Sequence, residues 1–343
     1  MKYFYIVTGL LLCLNLFAEE SVEQLIENYS GKASWNKKSK TITFESTGTI
    51  YFPWKTGDNT DLKNDHKNHF WEIPASVKKI VINENVTVTG AFHSFADIEI
   101  VGKNRKTSVV YGTDLQTWTD KNNPGGIDLK EWYYCQFQSF DGTIRISNLT
   151  SLNPFSYHIR SWRSVAHVKD CDFIDNRGGH HNHSDGFSGG DGSTVDNCYF
   201  ETGDDVFKIY FDNTITNCTI NMVTNTVPIQ LGWGPYSNGA VGTFKNLTII
   251  GNSGRHNDDN AIIAARYEGS YTVTVNIDGC KIENPNAAWV SLMGATKVLG
   301  TVKNADIKIK SFWNQKDKAR TTGTCEMIIC GTKEEKNEYR CQQ

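Results

Sequence analysis

The chain has 343 residues, 38% of them apolar and 12% aromatic, with a formal net charge of −3. That supply of apolar residues supports one large core or two ordinary ones and excludes an unfolded chain. No block of Lys and Arg exceeds a few residues, so nucleic acid is not an expected partner. A surface of little net field suits a neutral ligand such as an uncharged glycan.

From the N-terminus, Lys2, the apolar run YFYIVTGLLLCLNLF and Ala18 form the charged start, apolar middle and small-residue end of a secretory signal. The run is too short for a normal membrane span. We expect cleavage near Ala18, with a signal over 1–18 and a secreted mature chain over 19–343 that engages no membrane. SVEQLIENY then pairs a capping-box start, Ser21 with Gln24, with apolar Val22, Leu25 and Ile26. This predicts a short helix that closes the N-terminal end within 19–35. The stretch YFPWKTGDNTDLKNDHKNHFWEIP, between residues 50 and 75, is polar, aromatic-rich and unrepetitive, and reads as a long loop.

Further along, a motif of apolar, any, Asn/Asp/Gly, Cys/Leu, any, apolar recurs as IRISNLTSL, VKDCDFIDN, TVDNCYFET, TITNCTINM, TFKNLTIIG, NIDGCKIEN and TVKNADIKI. Marker residues Leu149, Cys171, Cys198, Cys218, Leu247, Cys280 and Ala305 are separated by 22, 27, 20, 29, 33 and 25 residues. Such intervals indicate a solenoid with variable loops. Each unit is a short run of β-branched or aromatic residues with period two, and amphipathic helix patterns are nearly absent after residue 35. A sandwich or propeller also uses short strands. A right-handed parallel β-helix fits better, because stacked coils place like residues in ladders. The fold class expected is therefore all-β, a single-domain right-handed parallel β-helix, with residues 311–343 closing its far end.

Of nine cysteines, Cys13 lies in the signal and eight remain for an oxidising compartment. Cys325, Cys330 and Cys341 cluster near the C-terminus and are candidates for one bridge. Cys171, Cys198, Cys218 and Cys280 occupy equivalent repeat positions and read as stacked small core residues. Asn28, Asn85, Asn148, Asn182, Asn217 and Asn246 each head an N-x-S/T sequon, so the secreted chain is a candidate glycoprotein.

The stretch NHSDGFSGGDGSTVDNCYFETGDDVFKIY holds the chemistry. One coil advances about 4.8 Å along the axis, so residues one coil apart stack on the same sheet. Aligning SDGF with DDVF places Asp185 on Asp205 and Phe187 on Phe207, with Asp204 beside them. Like charges this close raise at least one pKa, as a general acid near neutral pH requires. A calcium site of the kind used by calcium-dependent polysaccharide lyases is the alternative for such a cluster. Lys208 follows near the same face, where it can hold a sugar hydroxyl or tune a carboxylate. In NTVPIQLGWGPYSN, Gln230, Trp233 and Tyr236 are of the types that bind sugar hydroxyls and stack on sugar rings. Upstream, His180, His181 and His183 do not have zinc-ligand spacing. His183, two residues from Asp185, is the one expected to line the cleft.

These segments resemble the core of glycoside hydrolase family 49, the dextranases and isopullulanases, which has a TDG segment, a DDxxKxY segment at this separation, and then PxIQxGW. The match spans roughly residues 180 to 240, although Ser184 stands in place of Thr and the chain is too short for the β-sandwich domain of a typical member. Polygalacturonases share the fold but match less well, with Arg266 in AARYEG the only candidate for holding a uronate. The family-49 resemblance implies inverting hydrolysis of an α-glucan, with Asp204 as general acid and Asp185 and Asp205 activating water. Inversion needs acid and base carboxyls about 6.5–9.5 Å apart. The expectation is a metal-independent, cofactor-free monomer whose partner is a polysaccharide or oligosaccharide. The alternatives are a polygalacturonase-like pectin hydrolase and a β-helix that binds glycans without cleaving them.

Overall fold

The computed structural model describes residues 22–51, 69–115, 135–178, 183–223, 226–251, 261–265, 269–314 and 323–342. The predicted signal over 1–18, Ser21, His180, His181, Asn182 and Arg266 lie outside the described residues.

In the central coils each turn supplies three short strands, each paired in parallel with its equivalent on the next coil, whereas further on strands merge into longer ones such as Val241–Gly251, Thr272–Leu292 and Lys297–Trp313. Val165–Lys169 lies between Thr143–Ser147 and Ser193–Asp196. Asp172–Ile174 lies between Thr150–Leu152 and Tyr199–Glu201. Ile159–Ser161 lies between Phe137–Ser139 and Phe187–Gly189. This is the predicted parallel β-helix. Side chains alternate inward and outward along each strand, so one apolar residue per strand joins a column in the core. One such column runs through Ile42, Ile80, Ile100, Ile146, Val168, Val195, Ile215, Phe244, Ile277, Val302 and Ile329.

The recurring Asn/Asp/Gly position has a conformational cause. Asn148, Asp170, Asn197, Asn217, Asn246 and Asn304 have φ between 50 and 56°, the left-handed region that Asn and Asp tolerate best among residues with a side chain. The bend turns the chain from one sheet to the next. The freed amides then form a ladder: Asn197 Nδ2 donates to Asp170 at 2.6 Å, and Asn246 Nδ2 to Asn217 at 3.0 Å. The marker residues follow at once, and Cys171, Cys198 and Cys218 are buried free thiols.

Residues 22–28 are helical, with Val22 and Leu25 fully buried in the core and Tyr29 edge-on to Phe44. Two expected boundaries change. Within the stretch read as a loop, Phe70–Ile73 is a coil strand whose Trp71 pairs with Phe92 and is fully buried. Its aromatics fill core volume. At the far end, Thr324–Ile329 adds another parallel strand on Lys297–Val302, so the solenoid continues past residue 311. Cys325, Met327 and Ile329 of that strand face the core, a period of two carried by only three residues. The antiparallel strand Glu338–Arg340 then covers the edge, and a disulfide joins Cys330 to Cys341.

Candidate active site

The site lies on the sheet that contains Ile159–Ser161 and Phe187–Gly189. Its inner column is Phe92, Phe137, Ile159, Phe187, Phe207 and Ile229. The pairing of Phe187 with Phe207 is the register predicted from the sequence, and it fixes Asp185 over Asp205. Gly186 N–H donates to the Asp205 carbonyl at 2.8 Å, and His158 N–H to the Asp185 carbonyl at 2.8 Å. Because Phe207 points into the core, Lys208 points out, and the carboxylates that meet it lie on the outer side.

Lys208 Nζ bridges the two coils. It lies 2.7 Å from Asp185 Oδ1, off the hydrogen-bonding axis, and donates to Asp205 Oδ2 at 3.1 Å. Asp185, Asp205 and Lys208 are all buried, whereas Asp204 is half-buried. One oxygen from each of Asp185, Asp204 and Asp205 lies within 4.8 Å of the others. The three carboxyls therefore share a single crowded site, as the coil arithmetic predicts.

The electrostatics follow from this crowding. Burial pushes Asp185 well above the usual carboxylate range; Lys208 opposes the rise, and Asp204 and Asp205 add to it. Burial alone would lower the Lys208 ammonium, but Asp185, Tyr157, Tyr210 and Asp205 hold it well above the ordinary lysine value. Burial and the two neighbouring carboxylates thus favour the protonated form of Asp185, and the Lys208 ammonium favours the ionised one. A divalent cation bound by Asp185 and Asp205 would have to displace the Lys208 ammonium.

The separation matters for stereochemistry. Nearest oxygens within 4.8 Å of one another are a different quantity from the gap of about 6.5–9.5 Å between the acid and base carboxyls of an inverting pair, or the ~5–5.5 Å of a retaining one. Asp204 is the least buried of the three. Its Oδ1 accepts the Asp205 N–H at 3.0 Å, and its carbonyl accepts the Thr202 hydroxyl at 2.7 Å.

Beside the carboxylates lies a pocket of about 330 Å³, lined by Tyr157, Arg160, Trp162, Tyr210, Trp233 and Tyr236. Lys208 Nζ is 5.1 Å from the Tyr157 ring centre and 6.0 Å from that of Tyr210, so the pocket and the ion cluster share a wall. Trp162 contacts both Tyr210 and Tyr236 edge-on, and the Arg160 guanidinium lies 5.6 Å from the Trp162 ring centre. Trp233 and Tyr236 remain 44% and 41% exposed, which leaves ring surface open to a ligand. Gly232 sets their turn with φ of 109°, and a Cβ there would collide with the Ser237 hydroxyl. A larger open groove of about 760 Å³, bordered by Asn246, Asp278, Asn304 and Arg340, belongs to the asparagine ladder and holds no comparable cluster among the described residues.

Of the sequence-predicted residues, Asp185, Asp204, Asp205 and Lys208 come together, and Trp233 and Tyr236 line the adjoining pocket. Gln230 pairs with Lys208 across coils but is fully buried, accepting the Tyr210 hydroxyl at 3.2 Å. His183 is half-buried, ahead of Ser184. Tyr157, Arg160 and Trp162 are additional. They stand one coil before Asp185, and the same register count that aligned Asp185 with Asp205 locates them.

The fold and site thus define a parallel β-helix with a buried carboxylate–lysine cluster beside an aromatic pocket. No protein-family model matches the chain, and no curated protein matches it. Among solved structures, Dex49A from Penicillium minioluteum is similar, with 13% identity, a TM-score of 0.49 and 87% of this chain covered. The chain spans 61% of the length of that protein.

Proposed function

We propose that this protein is a glycoside hydrolase that cleaves an α-glucan of the dextran or pullulan kind, using Asp204, Asp185 and Asp205. The observation that carries the reading is the half-buried Asp204 beside two buried carboxylates bridged by Lys208, next to a pocket of aromatics that meet edge-on. The glucan class comes from the sequence resemblance. In this reading the protein acts outside the cell as a monomer, without metal.

Asp204 gives its proton to the glycosidic oxygen as the bond to the anomeric carbon breaks. For inversion, a water held by Asp185 and Asp205 attacks that carbon and loses its proton to one of them. Inversion requires room for that water between Asp204 and the base, about 6.5–9.5 Å from carboxyl to carboxyl. Retention requires no such room, because a carboxylate itself attacks. Proton NMR of the first-formed product anomer separates the two courses. Trp233 and Tyr236 supply ring faces for a sugar, and Lys208 keeps the two buried carboxylates oriented.

The test is release of reducing ends from dextran, pullulan and polygalacturonate by wild type and Asp204→Asn. We expect cleavage of a glucan, and a loss of about 10²–10⁴-fold on removing the acid. An Asp204→Asn protein with wild-type turnover defeats the assignment of the acid. Cleavage of polygalacturonate alone replaces the glucan with a uronate polymer. Binding of these glycans without cleavage makes the protein a lectin-like β-helix.

A further inference from the structure

We propose that Asp175, Arg177 and Ser184 are positioning residues that set the distance between Asp204 and Asp185. This rests on the reading above that the two carboxyls act together.

Arg177 and Asp175 form a buried, two-pronged ion pair, Nε to Oδ1 at 2.9 Å and Nη2 to Oδ2 at 2.8 Å, with the Arg177 side chain 2% exposed. Arg177 also donates to the Leu115 carbonyl at 3.0 Å, which anchors the guanidinium. Burial alone would raise the Asp175 carboxyl, but Arg177 outweighs it and holds the group below the usual range. An ionised carboxylate is an acceptor only. The Ser184 hydroxyl, which contacts Asp175 Oδ2, must therefore donate its hydrogen bond to that oxygen. Its own oxygen is then free to accept, and it takes the Gly203 N–H at 2.8 Å.

The consequence lies in the neighbours. Ser184 immediately precedes Asp185, and Gly203 immediately precedes Asp204. One fully buried hydroxyl, oriented by an ion pair outside the carboxylate cluster, thus pins the backbone ahead of both groups. Removing it leaves the Gly203 N–H without its partner, while Asp175 Oδ2 keeps Arg177, and loosens the turn that presents Asp204.

The experiment compares Ser184→Ala and Ser184→Thr with wild type, by kinetics on whichever glucan is cleaved and by crystal structures at one pH. With Ala we expect kcat to fall on the order of 10²-fold, as for a displacement of about 1 Å. KM and far-UV dichroism should remain close to wild type, the melting temperature should fall by the few degrees of one buried N–H left unpaired, and Thr, which keeps the hydroxyl, should restore most of kcat. The Ala structure should show a changed Asp185–Asp204 separation. The proposal is overturned if Ala keeps wild-type kcat, if Ala and Thr fall equally, or if the separation is unchanged. Should wild type cleave none of the polymers, the proposed function fails, and the separation by itself decides the role of Ser184.

Discussion

Lys208→Met removes the ammonium from between Asp185 and Asp205 while keeping an unbranched side chain of similar reach. The two contacts are 2.7 and 3.1 Å, and none of the three side chains is more than 6% exposed. At an effective dielectric of about 20, each contact is worth roughly 5–6 kcal/mol of attraction. Desolvating the ions offsets much of this, so the measurable loss on deleting one partner of a buried pair is about 3–5 kcal/mol. Urea unfolding at pH 7 reads it directly.

The pH dependence supplies a second check on Lys208→Met. Asp185 already sits above its ordinary value, and Lys208 is the group that opposes the rise. Without the ammonium the carboxyl climbs further, so the variant takes up its proton at a higher pH and is relieved of part of the cost. In wild type, protonating the carboxyls strips Lys208 of its partners and leaves a buried cation uncompensated. The stability gap is therefore full only above the raised value of Asp185 and narrows as pH falls through it, a window that opens above the usual carboxylate range. On the alkaline side, Lys208 is held above its ordinary value, so its contribution persists through the normal lysine range and is lost only above it. A gap below about 1 kcal/mol at pH 7, the size of an exposed pair, refutes the buried bridge. So does a gap that does not change with pH.

Phe207→Ala opens a cavity in the column between Phe187 and Ile229, beside Phe200 at 4.9 Å, and should cost about 3–5 kcal/mol in urea unfolding. Asn217→Val forces a β-branched residue to a φ of 54°, at roughly 1–2 kcal/mol for the left-handed conformation. Asn217→Gly loses the same Asn217 Nδ2 bond to Asp196 at 2.7 Å but escapes the left-handed strain, so the melting temperature of the Val variant should fall further. Activity on a glucan should be unchanged after EDTA treatment and dialysis, because Lys208 already neutralises the pair a cation would need. Loss of activity restored by calcium would overturn that account.

Much of the fold was legible because a β-helix converts sequence interval into spatial register. The Asn/Asp/Gly followed by Cys/Leu reports a left-handed bend and then a core position, and both recur whatever the loop length. The alignment of Asp185 with Asp205 was legible for the same reason, since only 20 residues and no long insertion separate Phe187 from Phe207. Asp175 and Arg177 were not. At i and i+2 they resemble ordinary turn residues, and their importance depends on a hydroxyl nine residues on that faces them only after the coil closes. Ser184 read as a minor variation because sequence shows its type and not the Gly203 N–H it accepts. Phe70–Ile73 and Thr324–Ile329 were hidden by polar flanks, which dilute a period that spans only a few residues.

The alternation of side chains across one strand explains how such a site can exist at all. Phe207 and Lys208 are neighbours, yet one belongs to an apolar column that continues through several coils and the other to the ion cluster. Crowding three carboxyls is unfavourable, and a flexible loop would relieve it by moving apart. Here the backbone of Asp185 and Asp205 is hydrogen-bonded coil to coil, and Lys208 ties their side chains. Asp204 stands half-buried on the turn before the strand, and that turn is held by the Gly203 N–H bonded to Ser184 and by the Thr202 hydroxyl bonded to the Asp204 carbonyl. In the function proposed above, with Asp204 as the acid, this turn is the point at which substrate can act on the proton donor.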